Sequence, residues 1–123
     1  HLKICKDIGW KPLESAPKGS WNDYENCDMK FIDIREHIKY LKYGYGRATD
    51  QLNIAIRNRR ILREEALEIV RNVDGDFSKQ NIQEFCNYLG ITESYFKKVV
   101  DGFVNTDLFE EKKGVWHAKF TKN

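Results

Sequence analysis

The chain has 123 residues, of which 41% are hydrophobic and 13% aromatic, and such a length and composition indicate one globular domain rather than a disordered chain. Its net charge is only +2, from 21 Lys and Arg against 19 Asp and Glu, which disfavours a dedicated nucleic-acid-binding protein. No apolar run approaches the roughly 20 residues that span a membrane, so we expect no membrane partner.

The N-terminal part of the chain divides into a short helix and an extended segment. Apolar residues within residues 1–9 fall on one helical face, and a glycine follows them. Residues 11–27 contain both prolines of the chain, which favours an extended loop or linker. Trp21 and Tyr24 lie in this loop, and we expect both to need a surface on which to pack.

Apolar residues that recur every three or four positions predict five helices in the middle of the chain. The predicted helices cover residues 28–43, 47–59, 63–73, 78–90 and 92–103. Ser78 and Thr92 are suited to cap the last two, because their hydroxyl oxygens accept hydrogen bonds from free backbone N–H groups. The inward face of the last two helices is expected to include Leu89, Tyr95, Phe96, Val99, Val100 and Phe103.

Residues 105–123 change from helical spacing to two short apolar runs around a turn, which is typical of a β-hairpin. Because an isolated two-stranded hairpin is only marginally stable, we expect it to pack on the helices or on another part of the protein. The sequence therefore predicts a mainly α fold of five or six helices, arranged like a bundle, with a small C-terminal β-hairpin.

The helix predicted at 47–59 carries the best candidate for an anion site. Arg47, Asp50 and Arg57 follow i, i+3 and i+10 spacing, so they lie on one stripe. Two guanidinium groups around one carboxylate can bind a carboxylate or phosphate through paired hydrogen bonds. The glycine-rich turn at 43–46 adds backbone N–H groups of the kind that cradle anions. The alternative is a solvated helix face with a weak Arg–Asp pair.

A second basic stretch comprises Arg57, Arg59, Arg60 and Arg63. Such a cluster can meet a phosphate polymer such as RNA. The three glutamates that follow, at 64, 65 and 68, favour the alternative of a solvated corner with balanced charges. The low net charge and the absence of aromatic residues among the arginines also disfavour nucleic acid as a partner.

The cysteines and histidines do not suggest a metal site. Cys5, Cys27 and Cys86 lie far apart without a CxxC pair, which disfavours a zinc site and a disulfide framework. Three isolated thiols are typical of a reducing compartment, so we expect a cytoplasmic protein. His37 and His117 have no His or Cys at metal-ligand spacing, so we expect no metal in this chain.

Several runs of sequence carry a resemblance to a known family. They are residues 18–21 (KGSW), 24–26 (YEN), 40–50 (YLKYGYGRATD), 56–66 (IRNRRILREEA) and 74–75 (DG). Together they resemble the C-terminal part of the bacterial N-acetyl sugar amidotransferases, enzymes of surface-polysaccharide and flagellar-sugar biosynthesis. Arg59 stands where this family usually has Gly, and Leu62 stands where it usually has Thr or Ser.

The resemblance implies an ATP-dependent reaction, because such enzymes are similar to N-type ATP pyrophosphatases. ATP, with Mg, would adenylate the acetamido oxygen of a nucleotide-linked or nonulosonic N-acetyl sugar. Ammonia from a glutaminase partner would then displace AMP and leave an acetamidino group. The Ser-Gly-Gly-x-Asp-Ser phosphate loop of these enzymes does not occur in this sequence. We therefore expect this chain to bind no ATP and to be inactive alone.

The resemblance also implies a domain organisation and a set of substrate-binding residues. Residues 1–10 would be the last helix of an N-terminal nucleotide domain, followed by a linker at 11–27, a helical domain at 28–104 and the hairpin at 105–123. The residues expected to bind the sugar are Lys18, Glu25, Tyr43, Gly44, Tyr45, Gly46, Arg47, Asp50 and Arg57. The alternative is a non-catalytic module that forms a homodimer or docks the glutaminase partner.

Overall fold

A computed structural model describes residues 1–120 of the chain. Within this part, six helices precede a two-stranded antiparallel hairpin. The elements are α1 (Leu2–Asp7), α2 (Ile32–Tyr43), α3 (Arg47–Arg57), α4 (Arg63–Val73), α5 (Lys79–Leu89), α6 (Glu93–Asp101), β1 (Phe109–Lys112) and β2 (Val115–Ala118). The predicted mainly α fold with a small C-terminal hairpin is confirmed. Residues 121–123, the end of the predicted 105–123 hairpin segment, lie outside the described part.

The ends of the helices follow local hydrogen-bonding rules. The hydroxyl of Ser78 accepts from the N–H of Asn81 at 3.2 Å, and that of Thr92 accepts from the N–H of Tyr95 at 3.1 Å, as predicted for α5 and α6. Helix α2 begins at residue 32 rather than 28, because turn hydrogen bonds hold the chain between residues 26 and 32. It ends at Gly44, whose φ of +83° favours glycine.

Much of the core lies in two clusters of buried side chains. The first cluster joins α2, α6 and the hairpin through Leu41, Val100, Val104 and Phe109. The second cluster joins α3 and α4 through Ala48, Leu52 and Ala66, and the ring of Trp21 packs on it from the loop. The loop tryptophan therefore has the packing surface that the sequence required.

The hairpin is attached to the helices, as predicted. Phe109 is paired with Ala118 across the two strands and is only 1% exposed, in the first cluster. The N–H of Asn105 donates to the carbonyl of Leu41 at 3.0 Å. The indole N–H of Trp116 donates to the Asp101 carboxylate at 2.7 Å. These contacts stabilise two strands that would be marginal alone.

The predicted inward face of α5 and α6 is partly wrong. Phe96 and Val100 do face the core, but four other members of the predicted set are substantially exposed. These are Leu89 (49%), Tyr95 (57%), Val99 (41%) and Phe103 (59%). For Tyr95 and Val99 the physical reason is that α6 carries apolar residues on two faces, and only the face with Phe96 and Val100 packs against the first cluster. Leu89 is the last residue of α5, and Phe103 follows the end of α6.

Helix α1 buries none of its residues, and Ile4 and Ile8 are 62% and 79% exposed. No helix within residues 1–120 combines the length and the apolar composition needed to cross a membrane.

Candidate functional site

The loop before α2 is bound along α3 by backbone groups. The carbonyl of Gly19 accepts from the N–H of Ala48 at 3.0 Å. The side-chain oxygen of Gln51, a residue only 3% exposed, accepts from the N–H of Trp21 at 2.7 Å and from that of Asn22 at 3.2 Å. Since a buried amide that receives two backbone hydrogen bonds fixes the loop in place, the loop side chains have defined positions beside α3.

An ion pair between Glu25 and Arg47 lies where this loop meets α3. The Glu25 carboxylate also accepts from the amide groups of Asn22 at 3.1 Å and Gln51 at 3.3 Å. The pair is only partly covered, with 30% of the Glu25 side chain and 27% of the Arg47 side chain exposed. We call the side chains of Asn22, Glu25, Arg47 and Gln51 the loop–α3 cluster.

Two polar atoms of the loop–α3 cluster are buried without a hydrogen-bond partner in the structure. They are the Nε donor of Arg47 and the Oδ1 acceptor of Asn22. Leaving a buried polar atom unbonded costs about 1–3 kcal/mol. Such atoms are rare in native proteins and often mark a place where water, an ion or a ligand belongs.

One turn further along α3, Asp50 forms an ion pair with Lys39 of α2. The Lys39 ammonium also lies 3.5 Å from the buried carboxylate of Glu36 and 4.6 Å from the centre of the Tyr45 ring. Partial burial by itself lowers the pKa of Lys39, but the two carboxylates outweigh burial and raise it. Lys39 therefore stays charged and connects α2, α3 and the tyrosine of the intervening turn.

The glycine-rich turn already has an anion at its N–H groups. The Asp74 carboxylate, at the end of α4, accepts from the N–H of Gly46 at 2.8 Å and from the N–H of Thr49 at 3.3 Å. It also accepts from the Thr49 hydroxyl at 2.8 Å. Because these donors lie at the positive end of α3, Asp74 serves as the N-terminal cap of that helix from 28 residues away.

The structure brings together only some of the residues predicted to bind a sugar. Glu25 and Arg47 are in contact. Asp50 lies one turn later on α3 and pairs with Lys39, whose ammonium also lies over the Tyr45 ring. The exposed ring of Tyr43 lies 6.4 Å from that of Tyr45. The predicted residues Gly44 and Gly46 shape the turn between them: Gly44 is the C-cap of α2 and Gly46 the N-cap of α3.

Two predicted residues lie apart from this group. Lys18 forms an ion pair with Asp76 at 2.9 Å. Arg57 is exposed at the far end of α3, and ten residues of helix separate it from Arg47 by about 15 Å along the axis. One carboxylate is too small to bridge both arginines at that separation.

Sequence reasoning missed Asn22, Glu36, Lys39, Gln51 and Asp74 as members of the site region. For Glu36 and Lys39 a signal existed, because two opposite charges at i, i+3 on an otherwise apolar helix face need partners. Asp74 belongs to the family-like Asp74-Gly75 pair, from which no role could be predicted. Within residues 1–120, no three His, Cys, Asp or Glu side chains converge to form a metal site.

Comparison with known proteins identifies a family. A search of curated proteins found no match. The family model described as "LPS biosynthesis protein WbpG-like, C-terminal domain" matches residues 18–122, where LPS is lipopolysaccharide. The match begins at the lysine that opens the loop along α3 and runs through all helices from α2 to α6 and the hairpin. Since it covers most of the sequence, the chain belongs to the WbpG-like C-terminal domain family of lipopolysaccharide biosynthesis proteins.

Proposed function

We propose that this domain binds the sugar substrate of an amidotransferase that converts an N-acetyl group to an acetamidino group during lipopolysaccharide biosynthesis. The observation that carries the proposal is the loop–α3 cluster, where a partly exposed Glu25–Arg47 pair adjoins two buried polar atoms without partners. Sugar hydroxyls both donate and accept, so a bound sugar offers partners for the unbonded Nε donor of Arg47 and for the unbonded Oδ1 acceptor of Asn22.

The proposed reaction has two balanced steps. In the first, the acetamido oxygen attacks the α-phosphorus of ATP, pyrophosphate leaves, and the amide N–H proton is lost to give an O-adenylyl imidate. In the second, ammonia adds to the imidate carbon and AMP leaves with the oxygen, so that an acetamidino group remains. We assign ATP and Mg to the nucleotide domain that the family resemblance implies, and the residues of this chain to sugar binding.

Arg47 is the residue on which this proposal depends most. In the free domain, one terminal guanidinium nitrogen of Arg47 donates to Glu25. A sugar carboxylate or hydroxyl pair would replace Glu25 there and would also accept from the unbonded Nε, which gives the paired hydrogen bonds that Glu25 does not make. The neighbouring Tyr43 and Tyr45 rings, 54% and 42% exposed, offer flat surfaces for the apolar face of a sugar ring.

The test is the Arg47→Lys variant of the full-length enzyme, which keeps the charge but loses the planar fork. We expect kcat/KM for the sugar to fall by about one to two orders of magnitude, or roughly 1.4–3 kcal/mol, with an unchanged melting temperature. Arg57→Lys is the matched control on the same helix and should be near normal. A variant that melts earlier but has normal turnover per folded molecule would reduce Arg47 to a structural role.

A second candidate function rests on a different observation, the exposed apolar face of α6. Tyr95 and Val99 lie at i and i+4 on α6 and are exposed, and Phe103, two residues after the helix ends, is exposed as well. A face of this kind is typical of a protein–protein contact, here with the glutaminase partner or a second copy. Val99→Lys would then abolish glutamine-dependent turnover while turnover with free ammonia persists. Equal activity with both nitrogen sources would exclude glutaminase docking at α6.

A further inference from the structure

The corner between α3 and α4, residues 57–63, breaks two local rules of helix structure. Helix α3 ends with the hydrogen-bond pattern of a Schellman motif: the N–H of Arg59 donates to Ile56 and that of Arg60 to Ala55, both at 2.9 Å. This motif needs a left-handed residue after the helix, usually glycine. Arg59 occupies that position with a φ of +56°, a conformation that is strained for a residue with a side chain.

The second rule is broken at the start of α4. Leu62 occupies the N-cap position, where a side-chain oxygen normally accepts from a free backbone N–H. A leucine side chain has no acceptor, so only half of a capping box remains: the Glu65 carboxylate accepts from the Leu62 N–H at 3.2 Å. The domain is therefore less stable with Arg59 and Leu62 than it would be with Gly at position 59 and Thr at position 62.

Both residues that break these rules, Arg59 and Leu62, are exposed to solvent. Arg57, Arg59 and Arg60 are exposed, and none of the ion pairs found within residues 1–120 includes them. Leu62 is 66% exposed, and Ile54, on the same helix face as Arg57, is 48% exposed. The glutamates of α4 that were expected to balance this charge form no ion pair with these three arginines. The Glu65 carboxylate accepts from the Leu62 backbone N–H, and the Glu68 carboxylate lies 3.7 Å from the Arg71 guanidinium.

The charge of the molecule is concentrated at the same corner. Residues 57–63 contain four arginines and no acidic residue. Because the whole chain has a net charge of +2, the remaining residues together carry −2. Within the described residues, this corner places four arginines beside the protruding aliphatic side chains of Leu62 and Ile54. Arginines with adjacent exposed leucine and isoleucine match the phosphate–hydrocarbon boundary of a bilayer.

We propose that the α3–α4 corner docks on an anionic lipid bilayer, with its arginines at the headgroup phosphates and Leu62 at the hydrocarbon boundary. This proposal replaces the expectation, drawn from composition, that the chain has no membrane partner. An acidic protein or an RNA would also attract the arginines. We favour the bilayer because it presents phosphate charge and hydrocarbon side by side over one surface, and no aromatic residue lies within residues 57–63 for stacking on RNA bases.

The test uses the 123-residue chain and flotation with vesicles of phosphatidylglycerol in phosphatidylcholine, at about 50 mM and about 300 mM salt. Arg59→Gly removes the strained left-handed arginine, and Leu62→Thr restores a side-chain cap to α4. Each variant should therefore have a higher melting temperature but weaker vesicle binding. We expect about a fivefold weaker partition for Arg59→Gly. Loss of binding in a more stable variant cannot arise from misfolding.

Lys113→Gly is the matched control. Lys113 has a φ of +54° in the hairpin turn, so this change removes one positive charge and the same backbone strain at a different place. It should leave vesicle binding within twofold. Equal weakening by Lys113→Gly and Arg59→Gly would overturn the proposal, as would equal binding to vesicles of phosphatidylcholine alone. Binding to poly-glutamate or RNA without binding to vesicles would also overturn it, in favour of that other partner.

Discussion

Asp74 supplies, from within the chain, the negative charge that the glycine-rich turn was expected to take from a ligand. Its carboxylate receives the Gly46 and Thr49 donors at the start of α3 and is only 8% exposed. This explains why an Asp-Gly pair follows α4. Gly75, with a φ of +84°, lies so close to the Tyr40 ring that an added Cβ would be 2.3 Å from it. No other residue fits there without displacing that ring.

The cap makes Asp74→Ala a sensitive test of this interpretation. Removing the carboxylate leaves the Gly46 N–H, the Thr49 N–H and the Thr49 hydroxyl without their acceptor. We therefore expect the free energy of unfolding, measured in urea, to fall by about 2–3 kcal/mol. Asp76→Ala is the control two residues away, because its ion pair with Lys18 is exposed and should contribute less than about 1 kcal/mol. Similar losses in both variants would contradict the capping role.

The residue-level contacts of the site were the least predictable from sequence. Gln51 is joined to Trp21 across 30 positions, and Asp74 to Gly46 across 28. Neither pair has a periodic signature, because a hydrogen bond between distant segments depends on how the helices pack. Arg47 and Glu25 were both singled out, but their direct contact follows from the course of the loop, which spacing does not encode.

At the scale of elements, sequence periodicity predicted the helices well and their exposure less well. Helix α4 has the predicted bounds, and the capping residues of α5 and α6 were identified correctly, since caps and periodicity are local properties. Helix α3 stops at residue 57 rather than 59 because the left-handed Arg59 ends it. The two apolar faces of α6 could not be ranked by periodicity, since both have helical spacing.

Neighbouring valines of α6 test its orientation. Val100 is 8% exposed and Val99 is 41% exposed. Val100→Lys would bury an ammonium group in the first cluster, so we expect a loss of more than about 3 kcal/mol of stability or no folded protein. Val99→Lys should change stability by no more than about 0.5 kcal/mol. Chemical denaturation measures the stability of both variants. A larger loss for Val99→Lys than for Val100→Lys would mean that α6 is rotated about its axis.

At the scale of the whole molecule, a half-buried histidine, His37, gives stability a defined pH dependence. The Nδ1–H of His37 donates to the Gly75 carbonyl at 2.7 Å, and its ring lies 4.2 Å from the centre of Phe77. Burial lowers the pKa of His37 from its usual 6.5, although the Gly75 carbonyl and the Asp33 and Asp76 carboxylates oppose the shift. The unfolded chain therefore binds this proton at a higher pH than the folded chain does.

It follows that the stabilisation from neutral His37 is fully present above pH 6.5 and declines as the pH falls through that value towards the lower pKa of the folded state. The slope from this group should not exceed about 1.4 kcal/mol per pH unit. His37→Asn keeps a donor for Gly75 and should remove this part of the dependence, whereas His117→Asn, at an exposed position, should not. The free energy of unfolding, measured in urea at pH values around and below 6.5, gives this dependence. If it changes with pH in the same way in the original protein, His37→Asn and His117→Asn, the pH dependence does not come from His37.

The two buried clusters share no residue: one holds α2, α6 and the hairpin together, and the other holds α3, α4 and Trp21. Because the two clusters have no residue in common, we expect each half to be able to open while the other stays closed. In native-state hydrogen exchange, Leu52→Ala should then lower the protection of α3 and α4 amides but leave the Val100 amide unchanged. Val104→Ala should do the opposite. Uniform loss across both halves would mean that the domain opens only as a single unit.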